Sequence, residues 1–220
     1  MKRAAAVWSV PWLALLASLV ALLLSTAPAE LQAACALNRA ALTDGEPWRL
    51  WTGHFVHFGG AHLRGDLLAF LVWAALLERG ARGLLLCVLL VATPLLSLVI
   101  LIGCPTLAEY RGLSGLDCSL VVALIWMRGL QSDRLRGVGA LCLAAFVAKC
   151  GYELVTGRAI LAPDLGEGVR LLPLAHVAGA VLGVLLSGGL PTPMTARDPN
   201  KAGVARHTAF QAVTPGSEFL

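Results

Sequence analysis

Three short patterns in this chain carry side chains able to do chemistry. In the first, Gly112-Leu113-Ser114-Gly115, a serine is flanked by glycines at the start of an apolar stretch. Glycines there let the backbone approach a ligand closely, and a helix N-terminus offers unpaired N–H groups to any oxyanion formed beside them. The competing reading is a plain loop-to-helix junction with serine as its cap. In the second, Ala175-His176-Val177-Ala178-Gly179-Ala180-Val181-Leu182-Gly183, residues His176, Gly179 and Gly183 fall at i, i+3 and i+7. They share one helix face, where small residues allow another helix to pack at close range. The histidine is then either a base that meets a side chain on the neighbouring helix or an incidental part of a packing seam. The third pattern pairs His62 with Asp66 at i, i+4. Ser114 and His176 together make a sufficient nucleophile and general base, the imidazole taking the proton as the hydroxyl attacks.

The elements that must position these groups follow from composition. Of 220 residues, 58% are hydrophobic and only 14% charged, about half the charged fraction usual in soluble domains. Apolar runs of about 18 residues or more read as membrane spans. Six are expected: 8–27, 62–78, 83–103, 114–130, 137–157 and 171–189. The first also resembles a signal peptide, with Lys2 and Arg3 ahead of it and Ala27-Pro28-Ala29 after it. Its apolar stretch, Val7 to Ser25, is longer than a usual signal core, which favours a retained span. The fold class expected is an all-α membrane protein, a bundle of six transmembrane helices over residues 1–190.

Charge sets the orientation. Ten of the 17 Lys and Arg lie at the N-terminus, at 79–82, at 128–136 and after 190, against five in the alternate loops. The positive-inside rule puts both termini in the cytoplasm. Spans four and six then run from outside to inside, so Ser114, at the first turn of one, and His176, about 7–8 Å into the other, reach similar depth near the outer face. The net charge of +4 comes from residues between apolar runs, not from a basic patch, so nucleic acid is not an expected partner.

Polar groups inside a membrane are costly and each is a functional candidate. Asp117, Lys149 and Glu153 form a candidate buried charge network, with Lys149 and Glu153 paired at i, i+4 and Asp117 reaching Lys149 between helices. A structural role is favoured over substrate selection by Lys149. Trp48, Trp51, Phe55 and Phe58 suit a segment lying at the membrane interface; solvated interfacial residues are the plain reading of His54 and His57, and it is favoured for His54. The six cysteines show no CxxC and no Cys/His zinc spacing, so neither metal nor cofactor is expected. Cys35 and Cys104 fall in loops on the outer side and are a candidate disulfide. The tail, 191–220, lacks periodicity and is expected to be a disordered cytoplasmic segment; its end, Gly216-Ser217-Glu218-Phe219-Leu220, resembles a cloning scar.

Taken in order, Trp48-Arg49, His62-x-x-x-Asp66, Gly112-Leu113-Ser114-Gly115 and Ala175-His176-x-x-Gly179-x-x-x-Gly183 resemble the motif set of the rhomboid proteases with the basic six-helix core. The resemblance covers most of residues 48–185. It implies an intramembrane serine endopeptidase with Ser114 as nucleophile, His176 as base, and an oxyanion hole formed by His62 and the Ser114 N–H, with Gly112, Gly115, Gly179 and Gly183 shaping the site. Asp66 stands where that family usually has Asn. An ionised carboxylate cannot donate to an oxyanion, so Asp66 is either protonated or holds His62 as a charged donor; the second is favoured.

The short core, brief loops and Lys149–Glu153 pattern resemble the rhombosortase branch. That branch implies exported substrates with a C-terminal, Gly-Gly-containing transmembrane tail, cut at the periplasmic side of the bacterial inner membrane. Glycines near a helix end ease its unwinding into an active site. Two alternatives stand beside this. The same acyl-enzyme could pass its acyl group to an amine, as a transpeptidase, or the chain could be a non-catalytic rhomboid-like membrane-protein binder or a small transporter.

Overall fold

The computed structural model describes residues 10–160 and 171–189. Their regular structure is all helical, with no strand among them beyond one isolated backbone bridge between Leu37 and Tyr110. The tail expected at 191–220 and the first residues of the chain lie outside the described residues. Among the described residues nine α-helices follow one another: α1 (Trp12–Ser25), α2 (Ala29–Cys35), α3 (Arg39–Thr43), α4 (Arg49–Thr52), α5 (Gly60–Cys87), α6 (Thr93–Gly103), α7 (Ser114–Leu124), α8 (Arg136–Thr156) and α9 (Pro173–Gly189).

Two helical runs, Gly60–Gly103 and Arg136–Thr156, are long and apolar enough to cross a membrane. The first has 44 residues and if straight would extend about 66 Å, roughly twice the hydrocarbon thickness. It is broken at Ala81, whose φ of −155° and ψ of 60° are not helical. The expected spans 62–78 and 83–103 are thus the two limbs of one run, and the expected 79–82 turn is reduced to a single-residue kink. Shorter apolar helices include α1 and α9.

A π-helical turn at Val88–Ala92 joins α5 to α6. Pro94, at the start of α6, has no N–H to give to the Leu90 carbonyl. That carbonyl instead accepts from Trp51 Nε1 at 3.3 Å, and Thr93 Oγ1 donates to Val88 O at 2.9 Å. A proline thus ties the segment before α5 to the middle of the long run. Glu78 does similar work on α1, accepting the Leu13 and Ala14 N–H groups at 3.2 and 3.0 Å. A carboxylate at a helix N-terminus satisfies orphan donors and complements the helix dipole.

The core runs along α5, α6, α7 and α9, with Phe70, Leu77, Leu84, Leu96, Ile100, Leu116 and Leu120 fully buried. Helix α8 differs. Its only buried residues are Gly139, Cys150 and Glu153, while Val138, Leu141, Val147, Leu154 and Val155 are exposed. Apolar side chains facing out and a carboxylate facing in is the arrangement expected where the solvent is lipid.

Residues 28–59, expected as a loop, contain α2, α3 and α4. Arg49 is buried at their centre, paired with Glu46 at 2.5 Å and donating to the Ala33 and Ala36 carbonyls at 2.6 and 2.7 Å. Trp48, Trp51 and Phe58 stay exposed along this segment. Cys35 and Cys104, the candidate pair, are free thiols; Cys35 is buried against Ala36 and Val56.

Candidate active site

Ser114 opens α7, and the loop before it is clamped from three directions. Leu37 and Tyr110 exchange backbone hydrogen bonds at 3.1 and 2.9 Å, Gly112 N–H donates to Gly53 O at 3.2 Å, and Tyr110 Oη donates to Gly112 O at 3.1 Å. Burial pushes the Tyr110 phenol well above its ordinary range, so it stays a donor. Gly112 has φ +131°, a region that side chains other than glycine's rarely enter. A Cβ there would also lie 3.0 Å from the His62 ring and 3.3 Å from Asp66 Oδ2. The glycine therefore serves both the turn and the close approach.

Helix α9 crosses α7 at contact distance. A Cβ on Gly179 would overlap the Gly115 carbonyl, and one on Gly183 would overlap the Ser119 carbonyl. At the same level a Cβ on Gly115 would lie 3.1 Å from Ala175 O. The residue after Ser114 therefore packs against the residue before His176. This fixed register brings the serine and histidine patterns together on facing helices. Ser114 is half-buried and His176 buried; the two are not hydrogen-bonded to each other.

His176 is held from the other side. Its Nδ1 lies 2.8 Å from Glu153 Oε2, and Lys149 Nζ lies 2.9 Å from the same oxygen and 3.2 Å from Nδ1. The expected network therefore forms with a different membership. Glu153 joins Lys149 and His176, whereas Asp117 forms no ion pair with Lys149 and its Oδ1 has no hydrogen-bond partner. Intrahelical spacing pairs Lys149 with Glu153, but nothing in it announces that the pair faces His176.

On the near side of Ser114, three nitrogens converge on Asp66 Oδ2: Ser114 N at 3.1 Å, His62 Nε2 at 3.2 Å and His57 Nε2 at 3.4 Å. The i, i+4 pairing of His62 and Asp66 is as expected. The burial of His54 and His57 is not. His54 Nε2 lies 2.9 Å from Ser97 Oγ, which donates to Leu50 O at 2.7 Å, so the ring is the donor between them. His57 Nδ1 lies 2.9 Å from Ser25 Oγ on α1. Burial pulls His54 down to about 4 and holds His57 below its ordinary value, the latter against the opposing pull of Asp66. Both rings are therefore neutral structural ties near neutral pH, and His54 is not the solvated residue expected at the interface.

One group of donors suits a divalent transition metal. His57, His62 and Asp66 each offer an atom, all within 4.8 Å of one another. Those atoms are engaged, however: Asp66 Oδ2 takes the Ser114 N–H, and the Leu113 N–H approaches His57 Nε2 at 3.4 Å. A metal there would have to displace both backbone contacts beside the serine.

Compared with known families, residues 44–191 match the Rhomboid domain. No curated protein matches the chain.

Proposed function

Since the chain belongs to the rhomboid family of intramembrane serine proteases, we propose that it cleaves membrane-anchored proteins with Ser114 as nucleophile and His176 as general base. The observation that carries this is the glycine-dependent interlock of α7 and α9, in which Gly115 meets Ala175 and Gly179. It holds the two side chains on facing helices at one level. Catalytic contacts are often open in the free enzyme and close with substrate, so Nε2 meets the hydroxyl as the peptide enters. Oxyanion stabilisation comes from the Ser114 N–H and His62. Asp66, at the focus of three nitrogens, is an acceptor that orients these donors; it releases the Ser114 N–H when the substrate oxygen arrives.

Six spans form the bundle, with both termini cytoplasmic and the site opening toward the periplasm across a bacterial inner membrane. The two long apolar helical runs and the outward apolar face of α8 support a membrane-spanning bundle, and the Lys and Arg distribution supports its orientation. The substrates are those of the rhombosortase type, exported proteins with a Gly-Gly-containing transmembrane tail. Co-expression with such substrates and mass spectrometry of the released protein tests the assignment. Wild type should release a product with a free carboxyl terminus, and Ser114→Ala none; release by both would overturn it.

A further inference from the structure

We propose that Glu153 is the positioning residue of the catalytic pair, the one that sets the tautomer of His176 and holds its ring. This rests on the protease reading above. The argument begins with proton accounting at Nδ1. Glu153 Oε2 lies 2.8 Å from that nitrogen and is nearly inaccessible to solvent, its side chain 1% exposed. An ionised carboxylate only accepts hydrogen bonds. Were Nδ1 also unprotonated, two acceptors would face each other at that distance. The proton therefore sits on Nδ1 and is donated to Glu153.

Lysine Nζ only donates, and its nearest acceptor is the same carboxylate oxygen at 2.9 Å. Its 3.2 Å approach to Nδ1 is then proximity and not a second hydrogen bond. With Nδ1 occupied, Nε2 is left unprotonated, as a base for Ser114 requires. The carboxylate also stabilises the imidazolium formed when Ser114 attacks. Lys149 keeps the buried carboxylate from standing as an unpaired charge in the apolar bundle.

The placement of Glu153 is itself informative. Helix α8 turns Leu154 and Val155 outward and buries Glu153. A helix needing only a self-contained Lys149–Glu153 pair could leave both at its periphery. Here the acid is drawn inward to within 2.8 Å of His176 on α9. Asp117, the other buried carboxylate nearby, does not share the task, since its Oδ1 has no partner.

The test combines kinetics with a direct view of the proton. In Glu153→Gln, the amide can present its NH₂ to Nδ1, which favours the tautomer with the proton on Nε2. Turnover should fall by about 10²- to 10⁴-fold with KM little changed, and Glu153→Asp should recover part of the loss. In the Ser114→Ala background, ¹⁵N spectra of labelled His176 should show a protonated Nδ1 and a bare Nε2, and Glu153→Gln should move that signal. An Nε2-protonated ring in Ser114→Ala alone would overturn the assignment even if the Glu153 variants fail to fold. Full turnover in Glu153→Gln, with Ser114→Ala and His176→Ala inactive, would remove Glu153 while sparing the protease reading. Turnover in Ser114→Ala or His176→Ala would remove both.

Discussion

Two buried carboxylates each hold a histidine, Asp66 beside Ser114 and Glu153 beside His176, and they differ in what else they hold. Asp66 Oδ2 gathers His62, His57 and the backbone N–H of Ser114 itself. Glu153 Oε2 gathers His176 and Lys149 and touches nothing on α7 among its hydrogen bonds. Both oxygens accept, yet the consequences are opposite. On the reading proposed above, Asp66 orients two donors, the Ser114 N–H and His62, toward the place where negative charge develops, with the neutral His57 ring packed beside them. Around Glu153, the group being oriented is an imidazole whose far nitrogen must stay free to accept. The same chemistry, a carboxylate on an imidazole, thus prepares a donor in one cluster and a base in the other.

The two clusters are anchored differently as well. Asp66 and His62 sit one turn apart on α5, with His57 tied to α1 through Ser25. Glu153 and His176 belong to different helices, so their contact depends on α8 keeping its register against α9. The α7–α9 seam stands between the clusters. Each element of this comparison can be broken separately.

The largest effect is expected at the base. His176→Ala should cut product formation by on the order of 10³-fold or more, read on gels of a transmembrane substrate, while the helical content stays that of wild type. Next comes the seam. Gly183→Leu drives a side chain into the Ser119 carbonyl, and overpacking of this kind costs about 1–3 kcal/mol. Thermal unfolding in detergent should show the loss, with activity reduced in step; full activity and stability would mean that α7 and α9 do not interlock there.

A smaller change is expected at the donor cluster. Asp66→Asn keeps the shape but removes the charge that holds His62 and Ser114 N–H. A hydrogen bond to a charged acceptor contributes about 1.5–3 kcal/mol, part of which Asn retains. Turnover should fall roughly tenfold, with an altered pH profile. An unchanged profile from acid to alkaline pH would dismiss the orienting role of Asp66. The smallest effect is expected from replacing Cys35 and Cys104 together by Ser. As free thiols they close no loop, so unfolding temperatures with and without reductant should coincide in wild type and stay within about 0.5 kcal/mol in the variant.

Much of this arrangement is legible in the amino-acid sequence. The Ser114 and His176 patterns, the His62–Asp66 spacing and the boundaries of the apolar runs all rest on local periodicity, and the helices begin and end within a few residues of where that periodicity puts them. What escaped depended on contacts between distant segments. His54 and His57 look solvated because their neighbours are aromatic and turn-like, and their partners Ser97 and Ser25 are 43 and 32 residues away. Glu153 looked satisfied by Lys149 on its own helix, and an α8 that is apolar nearly all round offers no stripe to say which face is inward. Arg79 and Arg82 mark the break at Ala81 in the sequence, but its backbone departs from helix at that one residue. Charge marks where a run leaves the apolar layer, but not how little backbone the break needs.

The central claim is that the Ser114 hydroxyl is a nucleophile made reactive by His176. Labelling with a fluorophosphonate probe in membranes reads this without knowledge of the natural substrate. Wild type should carry the probe on the peptide containing Ser114, and both Ser114→Ala and His176→Ala should stay unlabelled at equal protein levels. Labelling of wild type at any other residue, or undiminished labelling of His176→Ala, would contradict the account.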